Sequence, residues 1–260
     1  MKYILVDGDI IVYRAGFATN DEPLSHALHA VKMMIQNLHY KATFRCHDLE
    51  SYAFFLYLSA DDKSNFRYDV AKTKPYKGNR KQDKPVHYHD IREYLIKHHE
   101  AKVISGIEAD DAMGIENCRD IATRTIVTID KDLDMIPGYH YNFVKDKGYY
   151  ISRRIAYENF CIQMLTGDSV DNIRGYEGIG PVKAGKIIRS CRRDKAKMIQ
   201  TVYDLYTTKY DEDYFMEMGN LLWIMRQEDR KWDPDLAELR QNRSEAHARD
   251  VLTALKNSNS

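Results

Sequence analysis

Nine acidic residues stand where folding could gather them: Asp7 in ILVDGD, Asp62 in LYLSADD, Glu108, Asp110 and Asp111 in IEADD, Asp130 and Asp132 in TIDKD, and Asp168 and Asp171 in GDSVD. Three of these groups directly follow runs rich in β-branched or aromatic residues: YILV, YAFFLYL and TIVTI. In an open parallel α/β sheet, residues just past the carboxyl ends of the strands line the crevice where ligands bind. So many carboxylates in one cleft cannot all stay ionised without a strong counter-charge. Hard divalent cations supply it, because Mg²⁺ and Mn²⁺ favour oxygen ligands. The chemistry this implies is metal-dependent phosphotransfer or hydrolysis.

Each acid also has a simpler explanation. Asp7-Gly8-Asp9 suits a turn after a strand. Glu108, Asp110 and Asp111 fall in the first turn of a predicted helix, where acids complement the helix dipole. Glu108 and Asp111, three apart, share a helix face, and Asp130 and Asp132 point the same way if the strand continues through them. The simpler explanations must hold for every group at once, which favours a joint metal site.

Two further motifs suit a polyanion. In Gly175-Tyr176-Glu177-Gly178-Ile179-Gly180-Pro181, a tight turn leads through a proline into the helical run VKAGKIIRS. Free N–H groups at Gly178 and Gly180 could hold a phosphate, reinforced by Lys183 and Lys186. Such a hairpin grips a nucleic-acid backbone without reading sequence. In Pro75 to Lys81, PYKGNRK, Tyr76 offers a stacking face for a base, and Lys77 and Arg80 offer cations for phosphate oxygens.

The elements that must position these groups are legible as periodicity. Residues 2–6 read as a buried strand, 23–38 as a helix, 52–58 as a strand, then DIREYLIKH as a helix, KVIS as a short strand and EADDAMGIENCRDIA as a helix. RTIVTI is the clearest strand and YHYNFV another. Alternating strands and helices predict a mostly parallel sheet. Residues 63–84, with eight Lys or Arg against Asp69 and Asp83, read as an exposed loop or partly helical arch. From about 153 onward the pattern turns helical. Trp223 and Trp232 read as C-terminal helix packing, and the tail Asn257 to Ser260 as frayed.

Lys plus Arg and Asp plus Glu each total 39, yet the charges are segregated, and a local basic patch sets nucleic-acid affinity. The four cysteines, Cys46, Cys118, Cys161 and Cys191, form no CxxC pair and read as reduced thiols. The ten histidines show no HExxH pairing. No run approaches the ~20 apolar residues that span a bilayer, and Met1 leads straight into a strand without a signal-type segment. The expected compartment is the cytoplasm.

Together ILVDGD, YKGNR, IEADD, TIDKDL and GDSVDNIRGYEGIG, in this order over roughly residues 2–190, resemble the 5′-nuclease superfamily of flap endonucleases and 5′–3′ exonucleases, especially the bacteriophage type. The resemblance implies an α/β fold with a PIN-like (Rossmann-like), mostly parallel sheet core over 1–152, including a basic helical arch at 63–84. It also implies a helical C-terminal region over 153–260, with a helix–three-turn–helix DNA-binding element near 168–190. The implied activity is hydrolysis of phosphodiesters in DNA at 5′ ends, flaps, and branched or nicked duplex, with RNA in a hybrid as a further substrate. It would use two Mg²⁺ ions, with Mn²⁺ as a substitute. In this resemblance Asp7, Asp62, Glu108, Asp110 and Asp111 form a first metal cluster, and Asp130, Asp132, Asp168 and Asp171 a second. Asp62 is taken over Asp61 for its spacing to Phe66-Arg67, and Asp9 is an additional acid outside the pattern. Lys77 and Arg80 correspond to arch cations at the scissile phosphate. Gly178 to Gly180, with Lys183 and Lys186, corresponds to the duplex-binding hairpin, which in relatives also holds K⁺. A monomer with no membrane partner is expected. The rival readings are a catalytically inactive structure-specific DNA-binding protein and a PIN-type ribonuclease. The Asp168/Asp171 pair and the GIG hairpin distinguish the chain from the latter.

Overall fold

The computed structural model describes residues 1–46 and 52–257; the tail from Ser258 to Ser260 and the Cys46 side chain lie outside the described part. The chain forms two compact units. The first comprises Met1–Phe66, Lys81–Arg153 and Ile224–Asp229, and the second Arg67–Arg80, Arg154–Trp223 and Arg230–Ser260. The segment 67–80 thus belongs with the C-terminal helices, although by sequence it interrupts the sheet unit.

The first unit is built on one six-stranded sheet in the order β3-β2-β1-β4-β5-β6. Its strands are β1 (Lys2–Asp7), β2 (Tyr52–Ser59), β3 (Lys102–Ile104), β4 (Arg124–Val127), β5 (Gly138–Asn142) and β6 (Lys147–Ile151). β1 to β5 pair in parallel and β6 closes the edge antiparallel to β5. Helices α1 (Gly8–Ala18), α2 (Leu24–Cys46), α4 (Tyr88–His99) and α5 (Ala109–Arg119) complete this unit.

Side chains alternate across the sheet with period two. Ile4, Val6, Leu56, Leu58 and Val127 on one face pack with Ile11, Val31, Ile35, Ile91 and Leu95 from α1, α2 and α4. Helix α5 packs against β1, β2 and β4, where Leu5 and Ile126 are fully buried. Burial on both faces explains why the central strands read as unbroken apolar runs.

Two elements depart from the sequence reading. Asp7-Gly8-Asp9 is not a turn: Asp7 caps α1, its carboxylate accepting from the Ile10 N–H at 3.2 Å. β6, KGYYI, was not expected, since only its terminal Ile151 is buried and it carries no apolar run.

In the second unit, α6 (Arg153–Thr166) begins at the boundary residue Arg153. It is followed by α7 (Pro181–Ser190), α8 (Lys195–Tyr206), α9 (Glu212–Leu222), α10 (Leu236–Gln241) and α11 (Glu245–Asn257). Phe160 lies edge-on to both Trp223 and Trp232, with ring centroids 4.9 and 5.5 Å away. The basic segment is partly helical, as one of the two readings expected: it holds the four-residue α3 (Arg67–Val70), and Pro75 and Gly78 stand in the turns beyond it. It is not wholly exposed. Arg67 is 2% accessible, its guanidinium donating to the carbonyls of Leu221 and Trp223 at the end of α9. The N–H groups of Lys72 and Thr73 both donate to Glu217 at 2.8 Å.

Candidate active site

In the first unit the acids stand beyond the carboxyl ends of four neighbouring parallel strands. Asp7 is the last residue of β1 and pairs in register with Tyr57 of β2. Asp61 and Asp62 follow β2, Glu108 to Asp111 follow β3 at the start of α5, and Asp130 and Asp132 follow β4. Strand order β3-β2-β1-β4 makes these four groups adjacent along one edge of the sheet.

Hydrogen bonds tie the edge together. The Thr128 hydroxyl donates to Asp7 at 3.0 Å and accepts from the Asp130 N–H at 3.0 Å, and the Asp132 N–H donates to the Asp130 carboxylate at 2.8 Å. The Ser59 N–H donates to Asp9 at 2.9 Å, while the Ser59 hydroxyl accepts from the Ala109 N–H at 3.1 Å. The second carboxylate oxygen of Asp9 meets Arg92 at 3.1 Å. Burial, reinforced by the negative charges of Asp9 and Asp130, pushes the Asp7 carboxyl up to about 7. A carboxylate on the central strand, raised this far by desolvation and like charge, marks an edge that a cation would stabilise. Among the described residues, no group of three acidic, histidine or cysteine side chains is arranged to hold a metal ion. Mg²⁺ keeps several waters and is held through one or two carboxylates in many sites.

Several expected ligands are placed differently from the sequence reading. Asp130 and Asp132 do not alternate along a strand: β4 ends at Val127 and Asp132 opens a 3₁₀ turn, so the two are joined through a backbone hydrogen bond. Asp111 is fully buried, one oxygen accepting from the Met225 N–H at 2.9 Å and the other from the Glu108 N–H at 3.1 Å. It fastens the start of α5 rather than facing the cleft. Asp62 is exposed and turned back onto its own loop, accepting from the Ser64 N–H at 2.9 Å. The Ser64 hydroxyl, and then this N–H, hold its carboxyl below the usual range. Its neighbour Asp61 instead accepts from Lys84 at 2.6 Å and from the Tyr88 hydroxyl at 3.2 Å. The Arg92 guanidinium that meets Asp9 lies 5.5 Å from the centre of the same Tyr88 ring. Sequence spacing to Phe66 could not separate Asp61 from Asp62. Thr128 and Arg92 went unnoticed because neither stands in an acidic motif.

In the second unit, Asp168 and Asp171 occupy the loop after α6. The Asp168 carboxylate accepts from the Val170 N–H at 2.8 Å, and a bridge between Asp168 and Ile173 closes the loop. Gly167 and Gly175, with φ of +66° and +62°, pass so closely that a Cβ on Gly175 would lie 2.2 Å from the Gly167 nitrogen. Asp171 faces the basic segment. The Tyr76 hydroxyl donates to it at 2.8 Å, Arg80 at 2.6 Å, and the Lys77 ammonium lies 3.7 Å away. Tyr76 is 4% accessible and its ring packs edge-on to Tyr68, so it offers no open stacking face; its hydroxyl partner, Asp171, is 95 residues away.

The glycine turn leads through Pro181 into a helix, as its residues predict. Gly178 has φ +84°, Gly180 caps α7 with Pro181 at the first helical position, and both glycines are exposed. Lys186 is exposed and Lys183 partly so on the first turns of α7. Behind the turn stands a tyrosine cluster that the sequence reading missed. The Tyr214 hydroxyl donates to the Gly175 carbonyl at 3.1 Å, and Tyr210 accepts from the Glu177 N–H at 3.3 Å.

No family model matches the chain. An alignment 95 positions long, covering 32% of this chain, is 38% identical to the DNA polymerase I of Rhizobium leguminosarum, of which it covers 9%. Among solved structures, the bacteriophage T5 D15 protein co-crystallised with metal ions is similar over 84% of this chain and 83% of its own, at 20% identity and a TM-score of 0.54. The T5 D15 flap endonuclease in a pseudo-enzyme–product complex with DNA and metal ions gives 20% identity and a TM-score of 0.55 over the same shares. A mutant of the T5 5′-exonuclease gives 17% identity and 0.52, over 84% of this chain and 82% of that one. No described helix is long and apolar enough to cross a membrane. The chain therefore has the PIN-like α/β fold of the phage T5 flap endonuclease, the 5′-nuclease fold that its motifs resemble.

Proposed function

We propose that this protein is a metal-dependent, structure-selective 5′-nuclease that hydrolyses phosphodiester bonds of DNA at 5′ ends and flaps. The observation that carries the reading is the row of acids along four adjacent strand ends, with Asp7 buried at its centre and lifted to about 7. The proteins of like fold are the T5 D15 flap endonuclease, solved with metal ions and in one case also with DNA, and a mutant of the T5 5′-exonuclease.

In this reading Asp7, Asp62, Glu108, Asp110, Asp130 and Asp132 hold divalent cations, Mg²⁺ in the first instance. Asp62 meets only serine donors in the bonds described, whereas Asp61 is paired with Lys84, and Asp111 serves the fold. The chemistry Mg²⁺ supplies in such a site is activation of water and stabilisation of charge on the leaving oxygen. The protein's own residues do the rest. Thr128 fixes the Asp7 carboxylate, Asp9 with Arg92 braces the other side, and no side-chain nucleophile is required. Lys77 and Arg80 provide positive charge for the phosphate as negative charge develops in the transition state. Gly178, Gly180, Lys183 and Lys186 hold duplex backbone through N–H groups and ammonium charge, and K⁺ is a candidate ion for that turn.

Cleavage of matched 5′-flap, nicked and blunt duplexes tests the reading, with an RNA counterpart of each and EDTA as control. Mg²⁺-dependent release from 5′-labelled DNA, lost in EDTA, is expected. Binding without cleavage would favour a DNA-binding protein, and preferential cleavage of RNA a PIN-type ribonuclease.

A further inference from the structure

We infer that Tyr210 and Tyr214 are positioning residues: they fix the first half of the glycine turn so that its second half stands open to the backbone of duplex DNA. The inference rests on the reading of that turn as the duplex-binding hairpin.

The turn has two unlike halves. Gly175, Tyr176 and Glu177 are each held from residues 208–214, between α8 and the first turn of α9. The Tyr214 hydroxyl donates to the Gly175 carbonyl at 3.1 Å, and the Tyr210 hydroxyl accepts from the Glu177 N–H at 3.3 Å. The hydroxyls of Tyr176 and Thr208 are 3.2 Å apart. Lys209 pairs with the Glu177 carboxylate at 2.5 Å, so the one acid of the turn is drawn onto a cation. Beyond Glu177 this holding stops. A Cβ on Gly178 or on Gly180 would meet nothing within 4 Å. Among the described residues nothing accepts from the N–H of either glycine, and no side chain caps α7. Ile179 is buried between them and its N–H donates back to the Tyr176 carbonyl at 3.3 Å.

The hydroxyls that hold the first half sit on packed rings. Tyr210 and Tyr214 have ring centres 4.4 Å apart, and Tyr176 lies edge-on to Tyr210 at 5.6 Å. Tyr206, fully buried, meets all three at 5.8 to 5.9 Å and donates its own hydroxyl to the Met164 carbonyl in the last turn of α6. A tyrosine has only two side-chain torsions, so its hydroxyl is directed at low entropic cost. Glycine, by contrast, loses more freedom on ordering than any other residue. A turn that is competent only part of the time binds more weakly in proportion to that fraction. The tyrosines keep the fraction high before DNA arrives. Backbone N–H groups directed in this way suit phosphate oxygens and read no sequence.

The experiment uses Tyr210→Phe, Tyr214→Phe and the double variant, which delete hydroxyls and keep the rings. Amide hydrogen exchange of residues 176–180, Tm, and affinity for a blunt DNA duplex over a range of salt are measured. Exchange at Glu177 should rise about fivefold or more in Tyr210→Phe, because its N–H loses its acceptor. Duplex affinity should fall roughly two- to tenfold for each hydroxyl, the range of one net hydrogen bond. The slope of log K against log salt should stay that of wild type, since no cation is lost. Lower Tm with unchanged affinity would overturn the inference and leave the tyrosines a purely structural role. A shallower salt slope would overturn it as well, because the lysines would then have been displaced. Lys183→Ala with Lys186→Ala is the comparison that separates the two claims. If the wild type binds no duplex, or binds as well without those lysines, the hairpin reading fails and the inference with it. If binding needs the lysines but neither hydroxyl, only the inference fails.

Discussion

The two sets of acids are alike in residue type and opposite in circumstance. Along the sheet edge, Asp7 is buried with Asp9 and Asp130 near it, and its carboxyl is pushed up to about 7. In the loop after α6, Asp171 meets a tyrosine hydroxyl, a guanidinium and an ammonium. The first arrangement holds excess negative charge and invites a cation; the second has its positive charge supplied by the chain. Acids of one type thus meet opposite charge environments, set by the partners that the backbone brings within reach.

The largest effect expected from breaking this contrast is at Asp130. Asp130→Asn should lower cleavage on the order of 10³-fold, as for loss of a group supporting transition-state charge, with DNA affinity nearly unchanged. Near wild-type turnover in saturating Mg²⁺ would remove Asp130 from the metal-binding set. On the cationic side, Lys77→Ala should reduce the single-turnover rate about 10²-fold and affinity far less. Lys72→Ala, which leaves the Lys72 N–H bond to Glu217 in place, should affect mainly binding, modestly and in a salt-dependent way. Lys84 is no neutral control, because it pairs with Asp61 at 2.6 Å. Equal small effects at Lys77 and Lys72 would mean that the segment acts only as a diffuse positive surface.

How far the sequence announced this contrast follows from what is local. The acids after β1, β2 and β4 are legible because each directly follows an apolar run, and the proline-led start of α7 is legible from its own residues. Partners distant in the chain are not. Asp111 looks like its neighbours until Met225, 114 residues on, takes one of its oxygens. The segment 67–80 looks like a solvated arch because the partner of Arg67 lies 154 residues away and that of Tyr76 95. β6 was hidden by exposure, and α1 by a strand-ending Asp-Gly-Asp that serves equally as turn and as helix cap.

A smaller effect concerns the hairpin, where neither lysine has an acidic partner within salt-bridge distance among the described residues. Lys183→Ala with Lys186→Ala should weaken duplex binding alike for all sequences. The salt slope of log K should shrink by about 0.9 for each phosphate that is no longer neutralised. Affinity and slope both unchanged would reduce the hairpin to a structural turn.

The smallest expected effect is on stability, and it separates the two acid sets without any substrate. A carboxyl whose folded pKa is raised from 3.8 to about 7 binds its proton more tightly in the native state than in the unfolded chain. The stability it contributes is thus fully present below pH 4 and is lost as pH rises through about 7. A cation bound beside Asp7 favours the ionised form and removes this loss. Melting followed in EDTA should therefore show Tm falling by a few degrees from pH 5 to pH 8, in keeping with ~4–8 °C per kcal/mol for a small domain and less for a larger one. Mg²⁺ should raise Tm more at pH 8 than at pH 5. Asp7→Asn should flatten the EDTA profile and abolish the pH dependence of the Mg²⁺ effect, whereas Asp171→Asn should leave both in place. A profile in EDTA that does not change with Asp7→Asn would show that the sheet edge carries no such strained charge, and the contrast between the two acid sets would fail at its origin.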